Sequence, residues 1–135
     1  MRVLLDTDVL LDVGLERSDF VEASAQLLRA MERRDCDGFV AWHSVANLFY
    51  LMRPKRGGGH ARRLISRLTE IVEIPATDTK SLRQAAALPM SDFEDAMQAA
   101  AALACGADWI ATRNLKHFRK SPVPAAAPET ILALL

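Results

Sequence analysis

The chain begins with a short apolar run that stops on an acid: Val3-Leu4-Leu5, then Asp6-Thr7-Asp8. A run with both faces apolar reads as a strand buried on both sides, as in a parallel sheet covered by helices. A second run, Val9-Leu10-Leu11, follows at once and opens a short helix to Leu15. This strand-to-helix step predicts an α/β fold. It puts Asp6 at the carboxyl end of a strand, where open α/β sheets place their ligands. Asp8 reads as the cap of the helix that follows.

The alternation continues. Ser18-Asp19 caps a second helix carrying Val21, Ala25, Leu28 and Met31. The polar turn Glu32 to Gly38 precedes a second strand, Phe39-Val40-Ala41-Trp42. Ser44 caps a buried helix from Val45 to Met52, which Pro54 stops. Gly57-Gly58-Gly59 reads as a flexible loop within one core, and lacks the Gly-Lys-Ser/Thr of a phosphate loop. A basic helix from Ala61 to Thr69 turns Leu64, Ile65 and Leu68 inward. Ile71 to Ile74 is the third strand, and a helix from Thr77 or Asp78 runs to Leu88. Ser91-Asp92-Phe93-Glu94 is a capping-box pattern opening an alanine-rich helix to Cys105, which Gly106 ends. Trp109-Ile110-Ala111 is the fourth strand, Pro122-Val123-Pro124 a short edge strand, and Pro128 to Leu135 a terminal helix. Strands alternating with helices imply right-handed crossovers and helices on both faces, in one domain over residues 1–135.

Charge narrows the chemistry. The 17 basic and 17 acidic residues cancel, which excludes a nonspecific nucleic-acid coat. They are segregated, however. Gly38 to Thr69 holds no acid but carries Arg53, Lys55, Arg56, Arg62, Arg63 and Arg67, and a second basic cluster is Arg113, Lys116, Arg119 and Lys120. A neutral protein with segregated charge can hold a polyanion locally, although a solvated helix face explains such runs equally well. No apolar run reaches the ~18 residues of a membrane helix, and no signal peptide is expected. Cys36 and Cys105 have no metal spacing and form no disulfide framework, so a reducing cytoplasm is expected.

Three places offer groups that would converge if strands one and four are neighbours: Asp6 and Asp8; Asp92, Glu94 and Asp95; and Thr112-Arg113-Asn114. Two carboxylates ~4 Å apart repel by roughly 1 to 4 kcal/mol, so a site holding them together needs a cation or a raised pKa. Oxygen donors without His or Cys suit Mg²⁺ or Mn²⁺, ions that activate water and bind phosphate oxygens. Helix capping is the competing explanation for Asp92, Glu94 and Asp95. His43, His60 and His117 are too scattered for an imidazole metal site, and Trp42, Phe49 and Tyr50 read as core.

These residues resemble a known family. Leu4-Leu5-Asp6-Thr7-Asp8-Val9-Leu10 resembles the opening of PIN domains, Asp92 to Ala100 the central motif of one bacterial PIN subgroup, and Ala107 to Asn114 its closing motif. The resemblance spans the whole chain. It implies a three-layer α/β/α domain with a five-stranded parallel sheet ordered 3-2-1-4-5, and a Mg²⁺- or Mn²⁺-dependent endoribonuclease. For small stand-alone members it further implies the toxin of a VapC-like toxin–antitoxin pair, homodimeric and blocked by a small antitoxin. Asp6 matches the first metal-binding acid and Asp95 the acid on the central helix; Asp92 and Glu94 belong to the subgroup pattern. On this basis Asp6, Asp92 and Asp95 hold the metal, Asn114 orients water or substrate, and Arg113 with Arg53, Lys55 and Arg56 contacts the RNA backbone. Asn47 and Asn114 stand where the family often carries acids. That leaves open a catalytically weakened PIN module binding RNA or a protein partner. A haloacid-dehalogenase-type phosphohydrolase is a third alternative, because that family also runs a strand into Asp-x-Asp.

Overall fold

The computed structural model describes residues 1–135. The strands are β1 Arg2–Leu5, β2 Asp37–Val40, β3 Val72–Glu73, β4 Trp109–Ala111 and β5 Ala125–Ala126. The helices are α1 Thr7–Gly14, α2 Val21–Glu32, α3 Trp42–Arg56, α4 Gly58–Leu68, α5 Thr79–Ala87, α6 Phe93–Ala104 and α7 Pro128–Leu132, with a 3-10 turn at Leu115–Phe118. All strand pairs are parallel and the order is β3-β2-β1-β4-β5. The chain moves outward from β1 in both directions, so β1 and β4 flank the point where the order reverses. No helix is long and apolar enough to cross a membrane.

The alternation of side chains along β1 divides the core. Val3 and Leu5 face one side, where α1, α2, α3, α4 and α7 contribute residues such as Leu10, Leu27, Leu48, Ala61 and Ile131. Leu4 faces the other side, with Phe39 and Ile110, against Ala99, Ala101 and Ala102 of α6. Alanine lets the α6 backbone lie close to the sheet. α5 covers α6 through Ala85, Ala96 and Ala100. The three layers are therefore as expected.

Several boundaries differ from the sequence expectation, each for a physical reason. α2 begins after Phe20 with no side-chain cap, because Ser18-Asp19 sits one step too early in a turn. β2 ends at Val40, and Trp42 opens α3 with 74% exposure; Tyr50 is 66% exposed, so neither is core. α3 runs through Pro54 to Arg56. In the last turn a proline costs only one exposed hydrogen bond. Gly57, at φ 83°, makes a tight corner into α4 instead of a loop. The capping box is at Asp78 and Ser81 of α5, while Asp92 alone caps α6 by accepting from Asp95 N–H. The edge strand is Ala125–Ala126, because the proline-flanked segment before it offers too few donors to β4.

One ion pair locks the end of β4 to the helical layer. Asp12 is fully buried; Arg113 Nη2 lies 2.9 Å from its Oδ1, and Arg113 Nε donates to Oδ2 at 3.0 Å. Ser24 Oγ donates to the same Oδ2 at 2.8 Å, and the guanidinium stacks 4.1 Å from the Phe20 ring centroid. Arg113 was expected on RNA, but its guanidinium is committed to this internal pair. Removing it strands a buried carboxylate, which costs about 3 kcal/mol or more. Urea unfolding of Arg113→Ala should show that loss, and Asp12→Leu/Arg113→Met should recover most of it. A loss below about 1 kcal/mol for Arg113→Ala would mean the pair does not hold the fold.

Candidate metal centre

Asp6 ends β1 and caps α1, so the first carboxylate is placed by the sheet itself. Its Oδ1 accepts from Thr7 N–H at 2.7 Å, and its backbone N–H donates to Ala111 O across the β1/β4 pair. Thr112 follows β4 directly and donates from Oγ1 to Asp6 Oδ2 at 2.8 Å. Gln98 of α6, fully buried, directs Nε2 at Asp6 Oδ1 (3.1 Å), Ser44 Oγ (2.6 Å) and Glu94 Oε1 (3.2 Å). Two N–H groups shared among three acceptors tie α3 and α6 to the end of β1.

Asp8 was expected to be the helix cap. Asp6 has that place. Asp8 instead accepts from Arg113 N–H at 3.0 Å and lies 3.3 Å from Thr112 Oγ1, fastening the segment after β4. Such a bound Asp8 does not suit the acid/base role that the dehalogenase alternative assigns it.

The second group of acids comes from the first turn of α6. Asp92, Glu94 and Asp95 present oxygens within 4.8 Å of one another. Asp95 is buried, Glu94 half-buried and Asp92 exposed. Asp92 is both cap and cluster member, since its Oδ1 accepts from Asp95 N–H at 2.9 Å. Asp6 lies outside this close group and meets it through Gln98, so Glu94 is nearer the centre than its subsidiary place in the sequence pattern implied. Asn47 Nδ2 donates to Glu94 Oε1 at 3.3 Å, and His43 Nε2 lies 3.4 Å from that oxygen. Asn114 holds Thr112 Oγ1 through its backbone N–H, and the residue is exposed.

The electrostatics separate these acids. Burial, then Asp8 and Glu94, pushes Asp6 up to about 7, against the hydrogen bonds from Thr112 and Thr7. Burial, then Asp92 and Glu94, pushes Asp95 up to about 6, against the opposing charge of His117. Asp8 is also raised, chiefly by burial. Burial pushes Glu94 up too, but His43, followed by Gln98, outweighs it and the net shift is downward. Asp95 Oδ2 is buried without a hydrogen bond; His117 Nδ1 lies 3.1 Å away but is not aligned for one. An orphaned carboxylate oxygen beside two further acids fits a hard divalent cation.

Sequence reasoning missed Ser44 and Gln98 as site residues. Ser44 looked like a helix cap, yet α3 is capped at Ala41 and the Ser44 hydroxyl is buried against Gln98. Gln98 carried a legible signal: it is the single polar residue between Asp95 and Cys105, one turn beyond Glu94. Arg53, Lys55 and Arg56 lie in the last turn of α3, with Arg53 six residues beyond Asn47, or roughly 9 Å along the helix. Arg56 is paired with Glu16 at 3.0 Å.

Comparisons with known proteins bear on the fold and the family. A search of curated proteins returns no sequence match. Among solved structures, the chain is similar to VapBC2 from Rickettsia felis bound to a promoter DNA fragment (TM-score 0.73, 16% identity, covering 94% of this chain and 98% of that one). It is similar to FitAcB from Neisseria gonorrhoeae (0.65, 20%, covering 94% and 98%). It also resembles the VapC20 toxin of Mycobacterium tuberculosis, described as cleaving the sarcin–ricin loop (0.64, 15%, covering 80% and 86%). At these identities the likeness is one of fold. The sequence profile described as PIN domain matches residues 2–116. With its sheet order and its acids at the strand reversal, the chain belongs to the PIN-domain family.

Proposed function

We propose that this PIN domain is a metal-dependent endoribonuclease acting in the cytoplasm as the toxin of a toxin–antitoxin pair. The observation that carries the reading is the gathering of Asp6, Glu94, Asp95 and Asp92 at the carboxyl ends of β1 and β4, with Asp95 Oδ2 left without a hydrogen bond. The similarity to VapBC and FitAcB structures, and to a toxin described as cleaving the sarcin–ricin loop, supports the biological half of it. Exposed Trp42, Tyr50 and Leu51 on α3 give apolar surface for an antitoxin or a second copy of the chain.

Asp95, Asp92 and Glu94, with Asp6 beside them, would hold Mg²⁺ or Mn²⁺. Bound there, the ion would lower the pKa of a water and neutralise charge on phosphate oxygens. Gln98 holds Asp6 and Glu94 at a fixed separation. Thr112 fixes the second oxygen of Asp6. Asn114, at the rim, would orient water or substrate.

A second reading rests on Glu94. Its Oε1 already accepts from Gln98 and Asn47 and has His43 Nε2 3.4 Å away, which suits a weakened PIN module that binds without cutting. Cleavage of single-stranded RNA with Mn²⁺ or Mg²⁺ decides between them. The nuclease reading expects cleavage by the parent protein and losses of roughly 100-fold or more for Asp6→Asn and Asp95→Asn. Gln98→Leu, which removes only the supporting amide, should lose roughly 10- to 100-fold. No cleavage by the parent with either metal, alongside retained RNA binding, would favour the second reading.

The raised acids also set a pH signature for the metal-free protein. Asp6 and Asp95 bind protons more tightly folded than unfolded. Their contribution is therefore complete below about pH 4 and lost as pH rises through about 6 and 7. In chelator, thermal melting should fall from pH 5 to pH 8. Mn²⁺ should raise the melting temperature more at pH 8 than at pH 5, because the metal binds the ionised acids. A metal-free melting temperature that rises over this range, or a Mn²⁺ shift larger at pH 5, would count against these acids as the metal centre.

A further inference from the structure

Beside the acids lies a cleft of about 420 Å³ that the mechanism does not use. One wall is the segment from Pro89 to Ser91, immediately before the α6 cap. The other carries Lys116, His117, Arg119 and Lys120. Its inner end meets the metal centre directly: Ser91 adjoins Asp92, and His117 Nδ1 is 3.1 Å from Asp95 Oδ2.

The cations of this cleft are free. Arg29, Arg33, Arg56, Arg67 and Arg113 each lie within ion-pair distance of a carboxylate; Lys116, Arg119 and Lys120 do not, and all three are exposed. Their backbone is nevertheless well fixed. Phe118, between them, is buried with Leu4, Ile110 and Val123. Asn114 N–H bonds Thr112 Oγ1, His117 N–H bonds Asn114 O at 3.0 Å, and Ser121 Oγ donates to Val123 O at 2.7 Å. The charges are thus displayed from a rigid turn beside Asp95.

We propose that this cleft binds the phosphate backbone of the RNA substrate, with Lys116, Arg119 and Lys120 as its phosphate contacts. The proposal rests on the nuclease reading and deepens it. A phosphodiester approaching four acids is repelled by those that remain ionised, and nearby fixed cations offset that repulsion. Arg113 is spent on Asp12 and Arg56 on Glu16, whereas His117 of this turn stands 3.1 Å from Asp95, so the turn sets uncommitted positive charge directly beside the acids. An acidic protein segment would also meet these cations, but RNA additionally delivers a scissile phosphate to the acids at the inner end.

The test measures binding of a fluorescent single-stranded RNA by anisotropy, in chelator so that no cleavage intervenes, over a range of salt. Lys116→Ala/Arg119→Ala/Lys120→Ala should weaken binding roughly 10-fold or more near 0.1 M salt and flatten the log–log salt slope by about 2. The charge-matched Arg63→Ala/Lys80→Ala/Arg83→Ala should lose roughly 3-fold or less. Lys116→Arg/Lys120→Arg should restore affinity and so exclude a folding defect. Unchanged binding in the first variant, or equal losses in both triple variants, would overturn the assignment. So would retained RNA affinity with loss of binding to polyglutamate, which would give the cleft to an acidic protein. Cleavage by the parent with Mn²⁺ is scored separately. Parent binding that depends on the cleft, without cleavage, leaves the cleft standing and sinks the nuclease. Cleavage that ignores the triple substitution does the reverse.

Discussion

The structure turns on a buried carboxylate. Asp6 is 5% exposed, and its oxygens are met by Thr7 of α1, Thr112 after β4 and Gln98 of α6, with Gln98 reaching on to Ser44 of α3. A carboxylate taken from water without donors costs several kcal/mol, so these elements must converge for the strand to end there. The convergence is incomplete in a useful way. Three donors do not offset burial together with the charges of Asp8 and Glu94, and Asp6 is held near 7. The fold positions a charge that it only partly satisfies.

Asp12 and Asp95 show how the same side chain serves opposite ends. Both are buried acids on helices beside the sheet. Asp12 receives a two-pronged guanidinium and a hydroxyl, so it stabilises the packing of α1 on α2 and on the segment after β4. Asp95 receives one misaligned imidazole and keeps an oxygen without a hydrogen bond. Each keeps one oxygen without a hydrogen bond, but the one on Asp12 faces a guanidinium at 2.9 Å, so that acid is charge-paired within the frame, whereas the one on Asp95 sits among two further acids. Asp8 sits between them, holding Arg113 N–H in place while adding to the charge that raises Asp6.

Much of this was legible in the sequence. Val3-Leu4-Leu5 and Trp109-Ile110-Ala111 announce buried parallel strands because neither face tolerates a polar residue. The alanines of α6 announce close packing. Asp6 could be named because an acid has little structural use at the end of a buried strand, whereas Asp95 was named through the family resemblance, since helix capping explained it equally well. The rest depended on contacts that sequence does not carry. Ala125–Ala126 is a strand only because β4 offers it a partner. Trp42 looked like core by composition, but α3 begins three residues earlier than its apolar pattern suggested and turns the ring outward. Asp12 and Arg113 are 101 positions apart, and nothing local marks either as half of a pair. Glu94 gained importance only when Gln98 was seen to join it to Asp6.

Net charge hides the feature that matters most for an anionic substrate. The chain is neutral because acids and bases are equal in number, and part of that balance is taken up in internal or surface pairs. Paired charges cancel over a few ångströms and contribute little beyond a Debye length of ~8 to 10 Å. Among the charges left outside such pairs, two sets lie side by side: the acids around Asp6 and Asp95, and the cations of the turn after β4. They do not collapse onto one another, since Gln98, Thr112 and the α6 cap fix the acids while Phe118 fixes the turn. Only His117 touches across the gap. Rigid separation of that kind favours a cation at one end and a polyanion at the other, which a neutral surface of mobile charges would not.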